Sequence, residues 1–240
     1  MNEVIRQLYD RKSVRAFTDQ PIDESIVQTI LRSAAMAPTA GNQQLYTILR
    51  ITDKTLLAQL AESCDHQPFI SQGKLILVFC ADCLKWYDAF RSAGCEPRMP
   101  GPGDLLLAVD DALIAAQNAV VAAESFGIGS CYIGDIMENI ETQRELLGLP
   151  DYVFPAAMLV FGYPTEQQKE RKKPQRVDMQ YIVQENQYKR LSDEELIAMF
   201  SIKAPNGDYA GWVSAFCSRK YNSDFAREMS RSVCEYLKQY

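Results

Sequence analysis

The residues best suited to chemistry form a basic pentapeptide near the start of the chain, RKSVR at positions 11–15. Arginine and lysine pair with phosphate, and a serine hydroxyl can donate a further hydrogen bond. Side chains alternate along an extended chain, so Arg11, Ser13 and Arg15 are predicted to point one way. Lys12 and Val14 would then point the other way. This pattern favours an elongated anion with several acceptor groups over a membrane surface, and its alternative is a solvated charged turn after a helix.

The overall composition limits what this cluster can bind. The chain has 240 residues, of which 47% are apolar and 23% charged, and a formal net charge of -6. These values are ordinary for a soluble globular protein with a sizeable core. An acidic chain is not expected to be a general nucleic-acid binder. Because the cations at 11–15 and 169–176 stand out from this background, we predict a local site for a small anion and no polyanion groove.

Cysteine usage predicts a reduced, cytoplasmic protein. The seven cysteines are an odd number, and the first residues, MNEVIRQLYDRK, contain no apolar signal-peptide core. Cys80 and Cys83 have the C-x-x-C spacing of redox and zinc motifs. However, Cys80 ends an apolar run, no second pair follows and His66 is the only histidine. We therefore interpret the pair as buried thiols, predict no metal site and give His66 no catalytic role. No run of about 18 apolar residues is present, so no membrane span is expected.

Hydrophobic periodicity predicts the elements that must position the cluster. Helices are expected at residues 3–10, 23–37, 56–63, 104–126, 139–147, 192–200 and 225–237, and strands at 46–51, 75–80, 131–135 and 156–161. Residues 91–103 are rich in glycine and proline and are predicted to form a mobile loop or lid. Residues 167–176 are predicted to form a solvated loop, whose cations could also fold back onto the same anion. Arg219 and Lys220 are placed in a loop before the last helix.

Two of these segments could help to build a binding site. Residues 37–44, APTAGNQQ, combine small side chains, which let a backbone approach a flat ligand, with amides that both donate and accept. An ordinary helix-to-strand loop is the alternative. The long helix at 104–126 is apolar on nearly all sides, which predicts burial in a large core or at a subunit interface.

Taken in order, these pieces resemble the FMN-dependent nitroreductase superfamily, and within it the branch of oxygen-insensitive NADPH nitroreductases and NADPH–flavin reductases. The resemblance covers nearly the whole chain. It rests on RKSVR followed by Phe17, APTAGNQQ ending at Gln44, AAESFGIGSCYIG ending at Gly134, FGYP ending at Pro164, and a later Lys-Pro-x-Arg. It implies an α+β fold, with a central, mainly antiparallel sheet flanked by helices and a long central helix at a homodimer interface. It also implies one domain, 1–240, whose C-terminal extension at about 185–240 wraps the partner or the active site.

The resemblance further implies one FMN bound non-covalently in each subunit-interface cleft. Arg11, Lys12 and Ser13 would hold the ribityl phosphate. Arg15 would reach the pyrimidine edge as an electrostatic stabiliser, and no acid–base catalyst is expected. The other implied contacts are Thr39, Asn42 and Gln67 from loops, the backbone at Tyr132, Ile133, Gly134 and Asp135 along the ring, and Lys173 and Arg176 at the phosphate and pyrimidine side.

Three positions depart from the family pattern. Arg11 stands where the basic cluster usually begins with histidine. The sequence Lys-Pro-Gln-Arg, ending at Arg176, has one residue more than the expected Lys-Pro-Arg, which leaves the role of Arg176 open. Asp135 replaces a frequent glycine and places a carboxylate near the flavin.

The activity implied by the resemblance is a ping-pong cycle. NADPH or NADH would donate hydride to flavin N5 and leave, and a nitroaromatic, quinone or free flavin would then take the electrons. Arg219 and Lys220 are candidates for the 2′-phosphate of NADPH, and a solvated basic pair is the alternative. Two other readings remain: a flavoprotein of this fold with another reductive task, and a flavin-binding protein without nicotinamide-driven turnover.

Overall fold

A four-stranded antiparallel sheet organises the computed structural model, which describes residues 1–240. The strands are β1 (Tyr46–Ile51), β2 (Leu75–Asp82), β3 (Gly129–Ile133) and β4 (Val153–Gly162). Their order is β1-β2-β4-β3, and every neighbouring pair is antiparallel. The central strands β2 and β4 are buried at every position, which accounts for their nearly continuous apolar sequences. The antiparallel α+β fold predicted from the sequence is confirmed.

Eleven helices accompany the sheet. They are α1 (Glu3–Asp10), α2 (Glu24–Ala35), α3 (Lys54–Ser63), α4 (Phe69–Gln72), α5 (Leu84–Ser92), α6 (Pro102–Ser125), α7 (Ile140–Leu147), α8 (Glu166–Glu170), α9 (Asp193–Ser201), α10 (Tyr209–Lys220) and α11 (Asp224–Leu237). Short 3₁₀ turns at Ala40–Asn42 and Asp135–Met137 follow α2 and β3.

The long helix α6 forms the core on one face of the sheet. Its fully buried residues include Ala112, Ala115 and Ala119, which lie in one cluster with Leu77 and Phe79 of β2. Alanine side chains are small, so they let the helix axis approach the strands closely. By length and hydropathy alone α6 could cross a membrane. Its alanine face is buried against the sheet, which confirms the predicted burial for that face, whereas Leu106 and Ile114 on the other side remain exposed in the single chain.

The opposite face of the sheet is covered by α3 and α4. Leu60 and Ile70 from these helices are fully buried against Ile76, Val78 and Val160. Successive residues of β2 therefore enter two different cores, because side chains alternate across a strand.

The chain divides into two compact units, Met1–Arg171 with Met229–Tyr240, and Lys172–Glu228. In the second unit, the Ser192 hydroxyl accepts a hydrogen bond from Glu195 N and the Glu195 carboxylate accepts one from Ser192 N, which is the predicted capping box. The end of α11 belongs to the first unit, where Tyr236 is buried and donates its hydroxyl hydrogen to Val153 O at 2.8 Å.

Some segments differ from the sequence predictions. Residues 84–92 and 209–220 form α5 and α10, and part of the predicted loop at 167–176 is the short helix α8. Arg219 and Lys220 therefore lie in the last turn of α10, and the prediction of a loop there was wrong. The regular apolar spacing that marks a helix is weak in α10, whose N-terminus is fixed instead by Asp208 accepting from Gly211 N.

Candidate functional site

The basic segment at 11–15 is seated on the ends of β3 and β4. Val14 N donates to Ser130 O at 2.9 Å, so the segment runs beside β3. Val14 packs on Gly129, where a methyl group would lie 2.6 Å from its Cγ2 atom. Phe17 packs on Gly162, where a methyl group would lie 2.7 Å from the ring. Gly129 and Gly162 are paired in the sheet, so two adjacent glycines make the seat that holds the segment close to the strands.

The predicted alternation of the basic segment agrees with its contacts. Arg11, Ser13 and Arg15 all lie close enough to the buried Cys131 thiol to affect its pKa. Burial raises the pKa of Cys131, and the two positive charges oppose that rise. Lys12 and Val14 instead line a shallow cavity on the other side, together with Gly129.

Arg11 is the cation of this segment whose side chain has a buried donor without a partner. Its Nη2 atom donates to Ser130 Oγ at 3.5 Å, and its guanidinium lies 5.7 Å from the centre of the Tyr132 ring. Its Nε atom is buried and has no hydrogen-bond partner. A buried donor of this kind costs free energy until it is paired. The chemistry of Arg11, with Ser13 and Arg15 on the same side, therefore fits an anion with several oxygen atoms.

Lys12 makes contacts of a different kind. Its ammonium group donates to Lys169 O and Arg171 O, both at 2.5 Å. The Arg171 guanidinium in turn donates to Ser13 O. This reciprocal clasp joins the basic segment to the end of α8, and it leaves one of the three ammonium hydrogens for another acceptor.

Arg15 and Gln67 lie at the edge formed by α4. The Arg15 guanidinium is 6.0 Å from the centre of the Phe69 ring, an aromatic partner that the sequence analysis did not include. Gln67 donates through Nε2 to Cys64 O at 2.9 Å, so its side chain is fixed. His66 is exposed, and its Nδ1 atom lies 2.8 Å from Glu62 Oε1.

The end of β3 completes this side of the site. Tyr132 donates its hydroxyl hydrogen to Gln117 Oε1 at 3.3 Å, and burial raises its pKa to about 12. Ile133 is buried, Gly134 is exposed, and Asp135 opens the 3₁₀ turn. A phenol with this pKa stays neutral at physiological pH, so Tyr132 offers an aromatic surface and no charge.

The loop that carries Thr39 and Asn42 is tied to α6 by a residue that the sequence analysis missed. Asp111 is buried, and its carboxylate accepts hydrogen bonds from the Thr39 hydroxyl and from Leu45 N. Asn42 itself is exposed, with a positive φ of 55°. Thr39 thus serves the loop itself, while Asn42 presents its amide to solvent.

The remaining predicted residues lie in the second unit. Lys173 is half-buried and Arg176 exposed. The Arg219 guanidinium lies 5.4 Å from the centre of the Phe216 ring, and the Lys220 ammonium 5.6 Å from that of Phe225. Both cations are therefore held against aromatic rings and keep their charged ends available.

The segment predicted to form a mobile loop or lid lines one side of an open cavity of about 380 Å³ beside α5. Arg98 makes two hydrogen bonds to the Asp104 carboxylate, at 2.6 and 2.9 Å, which clasps the segment to the start of α6. Trp86 and Phe90 line the cavity with Cys83. Burial raises the pKa of Cys80 to about 12 and that of Cys83 to about 11, so both are protonated, buried thiols at neutral pH, as predicted.

Comparisons with known proteins give the family. The nitroreductase family model matches residues 8–163. The FMN reductase (NAD(P)H) of Bacillus subtilis strain 168 is 32% identical over 98% of this chain and 91% of its own length. The oxygen-insensitive NADPH nitroreductase of Salmonella typhimurium strain LT2 is 36% identical over 83% and 80%.

Solved structures agree with this match. The NfrA2 structure from B. megaterium has a TM-score of 0.81 at 31% identity, covering 97% of this chain and 98% of its own. The NADPH:FMN oxidoreductase from Vibrio harveyi, complexed with NAD+, has a TM-score of 0.83 at 25% identity, with 98% of both chains covered. With the family model spanning well over half of its length, the chain belongs to the nitroreductase family.

Proposed function

We propose that this protein is an FMN-dependent NAD(P)H oxidoreductase that reduces nitroaromatics, quinones or free flavin. The observation that carries the proposal is the basic segment, seated on two glycines, in which Arg11 keeps a buried Nε donor without a partner. An anionic cofactor with a phosphate group supplies the missing acceptor. The names of the relatives, FMN reductase and NADPH nitroreductase, support the same conclusion.

In this function Arg11 and Ser13 bind the ribityl phosphate, and Lys12 contributes its remaining ammonium hydrogen. Asn42 and Gln67 offer amides to the ring, and Thr39 shapes the loop that carries Asn42. Arg15 places its positive charge at the pyrimidine edge. The backbone at Tyr132, Ile133, Gly134 and Asp135 would line the ring, and the family resemblance assigns Lys173 and Arg176 to the phosphate and pyrimidine side.

When bound, FMN supplies the two-electron chemistry, accepting from NAD(P)H in one half of a ping-pong cycle and giving to the acceptor in the other. The protein binds, orients and supplies charge. The positive charge of Arg15 would stabilise negative charge on the pyrimidine of the bound cofactor, and this stabilisation is strong only where water is excluded. The neutral Tyr132 adds no competing charge.

The proposal includes a homodimer. The apolar residues of α1 and α6 support it, because they remain exposed in the single chain. No residue of α1 is buried, although Val4, Ile5 and Leu8 recur at helical spacing. On α6, Leu106 is 67% and Ile114 41% exposed. Exposed apolar surface of this kind on neighbouring helices marks an interaction site.

The testing experiment is a visible absorption spectrum of the purified protein before and after anaerobic addition of NADPH. The expected result is a set of flavin bands that bleach. Bands that persist with both NADPH and NADH would replace the proposal with a flavin-binding protein without nicotinamide-driven turnover. A protein that shows no flavin bands even after FMN is added and excess is removed would contradict the proposed function altogether.

A further inference from the structure

Asp111 is a buried carboxylate whose contacts all come from one loop. It lies in the middle of α6 with 4% of its surface exposed. The Thr39 hydroxyl donates to one of its oxygens, Leu45 N donates to the same oxygen at 3.1 Å, and Ala40 N lies 3.4 Å from the other. Three donors from residues 39–45 therefore meet at a single charged group.

The loop held by Asp111 has a strained backbone. Gly41, Asn42 and Gln44 all have positive φ values, 57°, 55° and 52°. Two of these residues are not glycine; asparagine tolerates this conformation better than most residues, whereas Gln44 adopts it at a cost that its surroundings must offset. Asn42, the residue that faces solvent, lies at the centre of the strained stretch.

Contacts from α5 hold the outer side of the same loop. Trp86 Nε1 donates to Gln43 O at 2.8 Å, and the Lys85 ammonium donates to Gln44 O at 3.2 Å. Both of these contacts act on the second half of the loop. Asp111 holds its two ends, at Thr39 and Leu45, to one point on a rigid helix.

We infer that Asp111 is a positioning residue, which fixes the loop at 39–45 so that the amide of Asn42 is presented to the cofactor in one orientation. The inference rests on the proposed function, which assigns Asn42 to FMN. Asp111 lies beneath the loop and acts on the cofactor only through it.

The chemistry of the site requires a carboxylate and not an amide. A carboxylate is an acceptor at both oxygens, whereas an asparagine amide presents one acceptor oxygen and two donor hydrogens. The Thr39 oxygen already accepts a hydrogen bond from Gln44 N at 2.8 Å. In Asp111→Asn, either orientation of the amide would turn its hydrogens toward a backbone donor, Leu45 N or Ala40 N, and the loop would have to shift.

The test compares Asp111→Asn with Asp110→Asn, which removes the same charge from the exposed neighbouring residue of α6. Amide hydrogen exchange of residues 39–45 and the Kd for FMN, from titration of the full-length apoprotein, are measured in each. We expect Asp111→Asn to exchange at least tenfold faster in this loop and to bind FMN about tenfold more weakly. Asp110→Asn should match the wild type in both measurements.

Thr39 provides an independent variant that leaves the buried charge in place. Thr39→Val removes the hydroxyl at nearly constant volume, and we expect it to loosen the loop and weaken FMN binding in the same direction. Thr39→Ser keeps the hydroxyl, so its affinity for FMN should fall much less than that of Thr39→Val. If Asp111 positions the loop, kcat should fall more than the KM for NADPH rises in the holoenzyme forms of Asp111→Asn and Thr39→Val. The urea midpoint of each variant should stay near that of the wild type.

Loop exchange and FMN affinity equal to those of the wild type in both Asp111→Asn and Thr39→Val would overturn the inference. Faster exchange with unchanged FMN affinity would also overturn it, because the loop would then not position anything for the cofactor. Failure of the proposed function gives a different result, since the wild type itself would bind no FMN.

Discussion

At the scale of single residues, two glycines determine how the basic segment is held. Gly129 and Gly162 lie side by side on β3 and β4, and each is in contact with a side chain of the segment, Val14 or Phe17. Neither glycine is needed for a positive φ. Their role is to leave room for close approach, and this approach fixes the distance of Arg11, Ser13 and Arg15 from the sheet.

The first prediction concerns this close approach. Gly129→Ala would place a methyl group 2.6 Å from Val14 Cγ2, and overpacking of this kind costs about 1–3 kcal/mol of unfolding free energy. Urea unfolding should show the loss, and adding Val14→Ala should recover part of it. Gly103→Ala is the matched control, because no atom lies within 4 Å of its added methyl group. Equal stability of the two glycine variants would contradict the close-packed seat.

The second prediction separates two neighbouring cations. Arg11→Met removes a guanidinium with a buried, unpaired donor, so the affinity for FMN should fall roughly 10- to 100-fold, the range of a charge-assisted hydrogen bond. Lys12→Met removes the same charge, but its ammonium already donates to two carbonyl oxygens. Lys12→Met should therefore weaken FMN binding less than Arg11→Met does. Titration of both apoproteins with FMN at the same salt concentration measures the difference. A larger loss for Lys12→Met would reverse the assignment of roles.

At the scale of helices and strands, the buried sheet and α6 could be predicted because long apolar runs have few alternatives. The parts that could not be predicted are those fixed by distant contacts. Thr39 and Asp111 are 72 positions apart, and nothing in the sequence distinguishes Asp111 from the exposed Asp110 beside it. The basic segment was recognisable from residue types, whereas its glycine seat depends on strand pairing, which residue types do not encode.

The third prediction concerns the packing of α2 on β1. Arg50 donates two hydrogen bonds to Glu24, both at 2.7 Å, and they lower the pKa of Glu24 from 4.5 to about 2. A carboxylate whose pKa is lowered on folding stabilises the folded state above its unfolded pKa, and the contribution is lost as the pH falls through the folded value. The stability difference between wild type and Glu24→Gln should therefore shrink as the pH falls from 4.5 to about 2.

Equilibrium unfolding at a series of pH values measures this difference. The free energy of unfolding of Arg50→Gln should depend less on pH in the same acid range. The double variant should lose little more unfolding free energy than either single variant. A constant difference between wild type and Glu24→Gln across this range would show that the ion pair contributes nothing. Because Glu24 is exposed, raising the salt concentration should reduce the effect as well.

The fourth prediction concerns the last turn of α10. Arg219 and Lys220 are held over Phe216 and Phe225, which limits their freedom and favours binding of a phosphate group. Replacing both cations by alanine should raise the KM for NADPH about tenfold or more, since a charge-assisted hydrogen bond is lost, and leave that for NADH nearly unchanged. Steady-state kinetics gives the KM for each nucleotide. Equal changes in the two KM values would contradict the prediction that Arg219 and Lys220 bind the 2′-phosphate.

At the scale of the whole molecule, the apolar residues of α1 and α6 that remain exposed support the proposed homodimer. Leu8 of α1 and Val120 and Val121 of α6 line one narrow cleft, so the two helices are neighbours. Contact between water and these apolar side chains is unfavourable, and a second copy of the chain packed against them would remove that contact. In the proposed homodimer, the loop at 39–45 and the subunit interface would be coupled through α6, which carries both the buried Asp111 and the exposed Ile114.

The fifth prediction tests this coupling. Ile114→Glu places a charge in the exposed apolar surface, so the dimer should dissociate in sedimentation velocity experiments and FMN should bind more weakly. Gln59→Glu, which adds the same charge on the exposed side of α3, is the control and should leave the dimer intact. A wild-type monomer that binds FMN would contradict the coupling directly.

The division of the chain has a consequence for how this protein can change during evolution or in engineering. The family model ends at residue 163, and the segment Lys172–Glu228 leaves the first unit at Arg171 and returns to it at Met229. Arg171 is fastened by the clasp with Lys12, and the returning end by buried Tyr236. A segment anchored at both ends behaves as an insertion, and doubling the length of such a loop costs only about 0.6 kcal/mol in closure entropy. Lys172–Glu228 can therefore be lengthened, shortened or exchanged while the first unit stays folded, so that the part of the chain that carries Arg219 and Lys220 can diversify separately from the basic segment at 11–15.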